Sequence, residues 1–138
     1  TGAYNNPADV PVAPLPFVEQ MRSLHRIGRY HDAFKVFLSA EGAEADLARK
    51  VIFGYISYAL NRVGDNEVVA EARDVDCIMG FGFNWAPPTV LTDVMGLKET
   101  IAGIERCGLP VPQVLAKATP GEPLFREPHV NIGRFFAG

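Results

Sequence analysis

Four carboxylates lie close together in this chain of 138 residues: Glu67, Glu71, Asp74 and Asp76. Carboxylates held near one another can divide acid and base roles, because each shifts the pKa of the other. An independent enzyme with such a site is one interpretation of the cluster. No histidine lies nearby in the sequence, and exposed carboxylates are the norm in globular proteins. We therefore favour a solvated acidic face.

The histidines and cysteines are too scattered for a metal site or a disulfide framework. His25 and His31 are six residues apart, whereas a helical metal pair needs a spacing of four, and His129 lies in a Pro-rich tail. Cys77 and Cys107 belong to no Cys-x-x-Cys pair. We expect polar or satisfied interior histidines, and thiols that act as small apolar residues in a reducing, cytoplasmic setting.

The composition indicates a globular domain, with 48% hydrophobic and 21% charged residues. Lys and Arg number 13 against 16 Asp and Glu, a net charge of −3, which provides no electrostatic attraction for nucleic acid or an anionic membrane. The longest apolar stretch, residues 51–60, is well below the roughly 20 residues that span a bilayer. It is therefore expected to be a core element.

The spacing of apolar residues predicts an all-α fold, a compact bundle of about five to seven short helices around one long central helix. Four prolines predict an extended linker over residues 1–16, the helical domain covers 17–119, and an irregular tail covers 120–138. Residues 30–40 also fit a strand, but helical neighbours favour a helix. The predicted helices cover residues 17–28, 30–40, 43–63, a short segment from 74, 88–95, 97–107 and 110–118.

The tail carries Phe125, Ile132, Phe135 and Phe136, which need cover from water. They are expected to pack on the bundle or on a partner chain, and we predict a symmetric homodimer. The chain opens with Thr-Gly and closes with Ala-Gly, which favours an excised piece of a longer protein.

One stretch between residues 75 and 96 carries an ordered set of residues with physical roles of their own. An aspartate can cap a short helix, glycines allow close packing of a turn, and a proline presets the next helix. A second aspartate near a helix end can accept a bond from a neighbouring loop. The residues of this motif are Asp76, Met79, Gly82, Pro88, Asp93 and Gly96.

This motif resembles the C-terminal helical domain of 3-hydroxyacyl-CoA dehydrogenases, over roughly residues 45–118. The family pattern there is Ile/Val-Asp, two residues, Met, Gly-x-Gly, Gly-Pro and Asp-x-x-Gly. Asn84 replaces the second glycine, although Asn can adopt positive φ, and Pro87 replaces the glycine before Pro88. The loop is also one residue shorter than in the family. The resemblance implies a fold like that of the C-terminal domain of 6-phosphogluconate dehydrogenase.

The resemblance also implies a function. Such enzymes oxidise 3-hydroxyacyl-CoA to 3-ketoacyl-CoA in fatty-acid β-oxidation, with NAD bound by a preceding α/β domain. Arg49 stands where the family places a catalytic Asn. This points to the second helical copy of longer members, which is non-catalytic, binds no cofactor, and serves dimerisation and the substrate cleft. Its expected partners are the NAD-binding domain and the first helical copy.

Three arginines at steps of four and three, Arg22, Arg26 and Arg29, fall on one side of the first predicted helix. They can bind the phosphates of the acyl-CoA substrate. A basic face that pairs with acidic neighbours is the simpler interpretation.

A helical interaction module without enzymatic activity is the main alternative. Residues 28–34 resemble the second helix of a tetratricopeptide repeat, with Gly, Tyr and Ala at similar spacing. A period of 34 residues places Arg62-Val63-Gly64 where the next Gly-x-Tyr should stand, and these residues do not match it. Such arrays also need about three units.

Overall fold

A computed structural model describes residues 14–136 of the chain, and within that range it contains seven α-helices and no strands. The predicted linker therefore lies outside the described residues, apart from its last three positions. The all-α fold class is confirmed. The helices are α1 (Pro16–Arg26), α2 (Tyr30–Ser39), α3 (Ala43–Leu60), α4 (Ala72–Cys77), α5 (Pro88–Met95), α6 (Leu97–Arg106) and α7 (Gln113–Ala116).

The longest helix, α3, forms the centre of the bundle. Its inner side carries Phe53, Ile56 and Leu60, which are buried against α5 and α6. It ends three residues earlier than the sequence predicts, where the Asn61 side-chain amide donates to the Ser57 carbonyl at 2.8 Å. That bond satisfies a carbonyl of the last turn and stops the helix.

Helices α3 and α6 approach closely where Phe53 meets Gly103. The Phe53 ring occupies the space that a side chain at residue 103 would fill. Both residues are buried, so the contact belongs to the core of the bundle.

Proline and glycine set several helix ends as the sequence predicts. Pro16 and Pro88 are the first residues of α1 and α5, where a missing N–H costs no helical hydrogen bond. Gly28, after α1, and Gly96, between α5 and α6, have φ of 74° and 101°. These are left-handed conformations that other residues rarely adopt.

The tail from residue 120 is irregular except for a 3-10 turn over Ile132–Phe135. The Phe135 ring lies 6.0 Å from the Phe125 ring, and the Phe136 ring lies 5.8 Å from that of Phe34 on α2. The tail aromatics therefore cover the bundle of the same chain, one of the two expected arrangements.

Candidate functional site

Asp76 lies inside α4 and is only 3% exposed. One carboxylate oxygen accepts the backbone N–H of Thr89 at 3.2 Å, and the other accepts the Thr89 hydroxyl at 2.5 Å. Thr89 is the second residue of α5, where backbone N–H groups have no helical acceptor. Asp76 therefore caps α5. The expectation that it caps its own short helix is wrong, because α4 already begins at Ala72.

The surroundings of Asp76 favour its neutral form. Burial raises the pKa of Asp76 to about 6, while the two hydrogen bonds from Thr89 oppose that rise. The carboxylates of Asp93 and Glu127 raise it further. On the other side, burial and the charge of Asp76 raise the pKa of Tyr55, whose hydroxyl donates to the Ala86 carbonyl at 3.0 Å.

The turn that follows α4 is a π-helical segment over Ile78–Gly82. A Cβ at Gly80 would lie 2.9 Å from both Phe135 and Pro87, so only glycine fits there. A Cβ at Gly82 would meet nothing within 4 Å. The close packing expected of the glycines is therefore found at Gly80 and is absent at Gly82. Asn84 has φ of 55°, as its replacement of a glycine predicts.

Asp93, on α5, holds the start of the tail. Its carboxylate accepts the backbone N–H groups of Leu124 and Phe125, each at 2.9 Å. The predicted bond to a neighbouring loop is therefore confirmed. The remaining motif residue, Met79, is half-buried, and its carbonyl accepts the Trp85 N–H at 2.9 Å.

The acidic cluster does not come together in the structure. Glu67 lies 3.6 Å from the Arg62 guanidinium, and Glu71 and Asp74 are exposed to solvent. Asp76 instead faces the interior, so the solvated interpretation is correct for three of the four residues. Within residues 14–136, no group of three His, Cys, Asp or Glu side chains is placed to hold a metal ion.

The three arginines do not share one helix. Arg22 and Arg26 are exposed on α1, but Arg29 follows that helix and precedes α2, because α1 ends at Arg26. Arg22 pairs with Glu19 at 2.9 Å, and Arg29 pairs with Asp32 at 2.8 Å. The predicted single row is therefore wrong for Arg29, and a phosphate-binding role stays a prediction.

Arg49, which the resemblance aligns with a catalytic Asn, caps the end of α2. Its guanidinium donates to the carbonyls of Phe37 at 2.8 Å and Ala40 at 2.7 Å, and it binds the Asp46 carboxylate at 2.7 Å. The side chain is only 16% exposed. These bonds satisfy carbonyls that have no partner within α2.

Two histidines have intramolecular roles. The His31 ring nitrogen Nδ1 lies 3.0 Å from the Val94 carbonyl at the end of α5. The His25 ring stacks on that of Phe136 at 5.1 Å, and burial lowers the pKa of His25. The thiols of Cys77 and Cys107 are both half-buried and form no disulfide.

Sequence reasoning missed an exposed apolar surface on the outer side of α3 and the adjoining turn. Part of it borders an apolar cleft of about 250 Å³ that Tyr55, Tyr58 and Met79 help to line. The spacing of four and seven between residues 47, 51 and 58 was a signal that could have revealed it. The most exposed apolar residues of this surface are Leu47, Val51, Tyr58, Val68, Ile78 and Trp85.

Comparison with protein families, with curated proteins and with solved structures finds no match in any of the three. The family resemblance therefore rests on the motif residues alone. No helix among the described residues is long and apolar enough to cross a bilayer.

Proposed function

We propose that this chain is a non-catalytic helical domain of a 3-hydroxyacyl-CoA dehydrogenase, which serves dimerisation and supports the substrate cleft. The parent enzyme oxidises 3-hydroxyacyl-CoA to 3-ketoacyl-CoA in fatty-acid β-oxidation. NAD binds to a separate α/β domain of the parent, and a first helical copy completes the active site. The free thiols of Cys77 and Cys107 suit a cytoplasmic enzyme.

The observation that carries this proposal is the engagement of the motif residues by their own chain. Both oxygens of Asp76 bind Thr89, and the carboxylate of Asp93 binds the backbone of Leu124 and Phe125. Carboxylates bonded in this way position helices and loops, and they have little capacity left for a substrate. These bonds favour a structural, non-catalytic role for the domain within a larger enzyme.

Arg49 supports the same role. A guanidinium cannot act as a base at physiological pH, and here it donates to backbone carbonyls of α2. The residue thus stabilises the connection between α2 and α3, where the family's catalytic copy has an active-site amide.

A helical interaction module without enzymatic activity is the second candidate. The exposed apolar surface around Val51, Tyr58 and Val68 favours it, because such patches on soluble proteins mark contact sites. This surface fits both candidates, so an activity measurement must separate them.

The deciding experiment is NADH consumption by the intact parent protein with a short 3-ketoacyl-CoA, in parallel with the 138-residue chain alone. We expect turnover by the parent and none by the chain. Turnover by the chain alone would overturn the non-catalytic role. A folded parent without turnover would overturn the dehydrogenase and leave the interaction module.

A further inference from the structure

A groove formed by residues of α2, α3 and α6 lies on one face of the bundle. It consists of two adjacent clefts of about 450 Å³ and 360 Å³, and Leu38 and Arg106 line both of them. Each volume lies within the range of small-molecule sites. We call this feature the basic groove, and its cationic residues are Lys35, Arg49, Lys50, Lys98 and Arg106.

The basic groove carries an excess of positive charge, although the chain as a whole has a net charge of −3. Its five cations are accompanied by only two carboxylates, those of Asp46 and Glu99. Among residues 14–136, Lys50, Lys98 and Arg106 take part in no ion pair. A cleft lined by an excess of one charge focuses the electric field and attracts ligands of the opposite charge. The groove therefore favours an anionic ligand.

The two carboxylates of the groove are engaged by their own chain. Asp46 binds the Arg49 guanidinium at 2.7 Å, and Arg49 also donates to carbonyls at the end of α2. Glu99 lies in the first turn of α6 with its carboxylate beside Gly96. The dipole of a helix favours a negative charge at that end. Neither carboxylate therefore neutralises the three cations that have no ion pair.

Cations from two helices line the larger of the two clefts. Lys98 and Arg106 are eight residues apart on α6, so their Cα atoms are separated by roughly 12 Å. On α2, Lys35 shares the Asp32 carboxylate with Arg29, so that two cations meet one anion there too. The Lys35 side chain is 76% exposed and has room to reorient. Flexible lysines and a planar guanidinium can thus converge on one ligand between α2 and α6.

We propose that the basic groove binds a small molecule that carries a diphosphate group. The charged oxygens of a diphosphate can accept hydrogen bonds from several cations at once, which a single carboxylate cannot do. Leu38 and Ala102 are half-buried in the same cleft and provide apolar surface for the rest of the molecule. The inference goes beyond the proposed function, since free nucleotides and the diphosphate of an acyl-CoA share this chemistry.

The first test titrates the full 138-residue chain with inorganic pyrophosphate in a calorimeter. We expect binding at one site, and its affinity should fall as the salt concentration rises, because exposed ionic contacts are screened. Lys98→Ala and Arg106→Ala should each weaken binding by about 10-fold, through the loss of a charge-assisted hydrogen bond. Both residues are exposed, so the variants should fold like wild type.

Lys117→Ala is the matched control, because this lysine is also exposed but follows α7, outside the basic groove. Its affinity for pyrophosphate should equal that of wild type. Lys98→Arg keeps a positive charge in the groove and should retain most of the affinity that Lys98→Ala loses. A chain that does not bind pyrophosphate, or equal losses in Lys98→Ala and Lys117→Ala, would overturn the proposal.

The second test identifies the source of the diphosphate by displacing bound pyrophosphate. Displacement by adenosine diphosphate and coenzyme A at similar concentrations would support a site for free nucleotides. Displacement by coenzyme A at a concentration about 10-fold lower would support the diphosphate of an acyl-CoA. Adenosine, which has no phosphate, should displace nothing. If neither diphosphate displaces pyrophosphate, the groove binds an adventitious ion only, and the proposal is overturned.

These binding results are independent of the activity assay. A chain that binds diphosphates, in a parent without NADH turnover, would refute the dehydrogenase and retain the basic groove as a ligand site. Turnover by the parent, with no diphosphate bound by the chain, would retain the dehydrogenase and refute the ligand site.

Discussion

The two sides of α3 are both apolar, yet they have opposite environments. Phe53, on the inner side, is 1% exposed, whereas Val51 and Tyr58, on the outer side, are 52% and 71% exposed. The inner side is covered because α5 and α6 pack against it, and among the described residues nothing covers the outer side to the same degree. The apolar sequence of α3 therefore indicates that the helix is in contact with other groups. Which of its two sides is buried in the core depends on where the neighbouring helices pack.

The difference between the two sides of α3 is tested most directly by truncating one aromatic residue on each side. Phe53→Ala should lower the free energy of unfolding by about 3–5 kcal/mol, because it leaves a cavity in the core. Tyr58→Ala should change it by less than about 0.5 kcal/mol, since most of its surface is already in water. Both are measured by urea denaturation of the full chain at one protein concentration. Equal losses would contradict the assignment of the two sides.

A second prediction concerns Asp76, which is buried in the interior. Its pKa of about 6 lies above the ordinary 3.8, so the folded protein binds the proton more tightly than the unfolded chain. The resulting stabilisation of the folded protein is fully present at a pH below 3.8, the pKa in the unfolded chain, and it is lost as the pH rises through 6. Asp76→Asn removes the titration, so wild type should lose about 3 kcal/mol relative to this variant between about pH 4 and pH 7.

The measurement is urea unfolding of wild type and Asp76→Asn at several pH values. Asp74→Asn is the matched control, because this carboxylate lies two residues earlier and is exposed. Its pH profile should follow that of wild type. Parallel profiles for wild type and Asp76→Asn would show that the buried carboxylate does not titrate in this range.

Substitution of Asp93 should have a smaller effect on stability than truncation of Phe53, and a larger one than truncation of Tyr58. Asp93→Ala leaves the N–H groups of Leu124 and Phe125 without their acceptor, which should cost about 1–3 kcal/mol. Hydrogen exchange at these two amides should accelerate, while amides in α3 respond only to the global loss. Asp93→Asn keeps one acceptor oxygen and should show a partial effect. Unchanged exchange at both amides would refute the anchoring role.

A small effect on stability is also expected at the exposed arginines. Replacing Arg22, Arg26 and Arg29 together by Ala should change the free energy of unfolding by less than about 1 kcal/mol, because surface ion pairs contribute little. Measured in the parent enzyme, the same variant tests the predicted contact with the CoA phosphates. A raised KM for the acyl-CoA would support that contact, and an unchanged KM would remove it.

Helix positions were largely predictable, because the prolines and glycines at helix ends and the spacing of apolar residues act locally. Pro88, Gly96 and the spacing between them predict α5 over its observed bounds. The partner of Asp76 was not predictable, because Thr89 is 13 residues away and only the packing of α4 on α5 brings them together. Sequence spacing alone describes one helix and contains no information about the next.

The role of Gly80 illustrates the same limit. The family resemblance favoured Gly82, but glycine is needed at residue 80, where a Cβ would meet both Pro87 and Phe135. Phe135 belongs to the tail, more than fifty residues later in the chain. In contrast, the bond accepted by Asp93 was predicted, since a carboxylate near a helix end has few local donors and must find one in a loop. The sequence thus shows that a carboxylate such as Asp93 requires a hydrogen-bond donor, but it does not show which distant residue provides that donor.

The contact between Phe53 and Gly103 also limits how this sequence can change over time. A larger side chain at 103 would meet the ring of Phe53, so it becomes acceptable only after a smaller residue has replaced that ring. A small residue at 53 would in turn leave a cavity unless position 103 grows. Each substitution alone is selected against, so the two positions should change together or not at all, and a library randomised at both should recover pairs of nearly constant total volume.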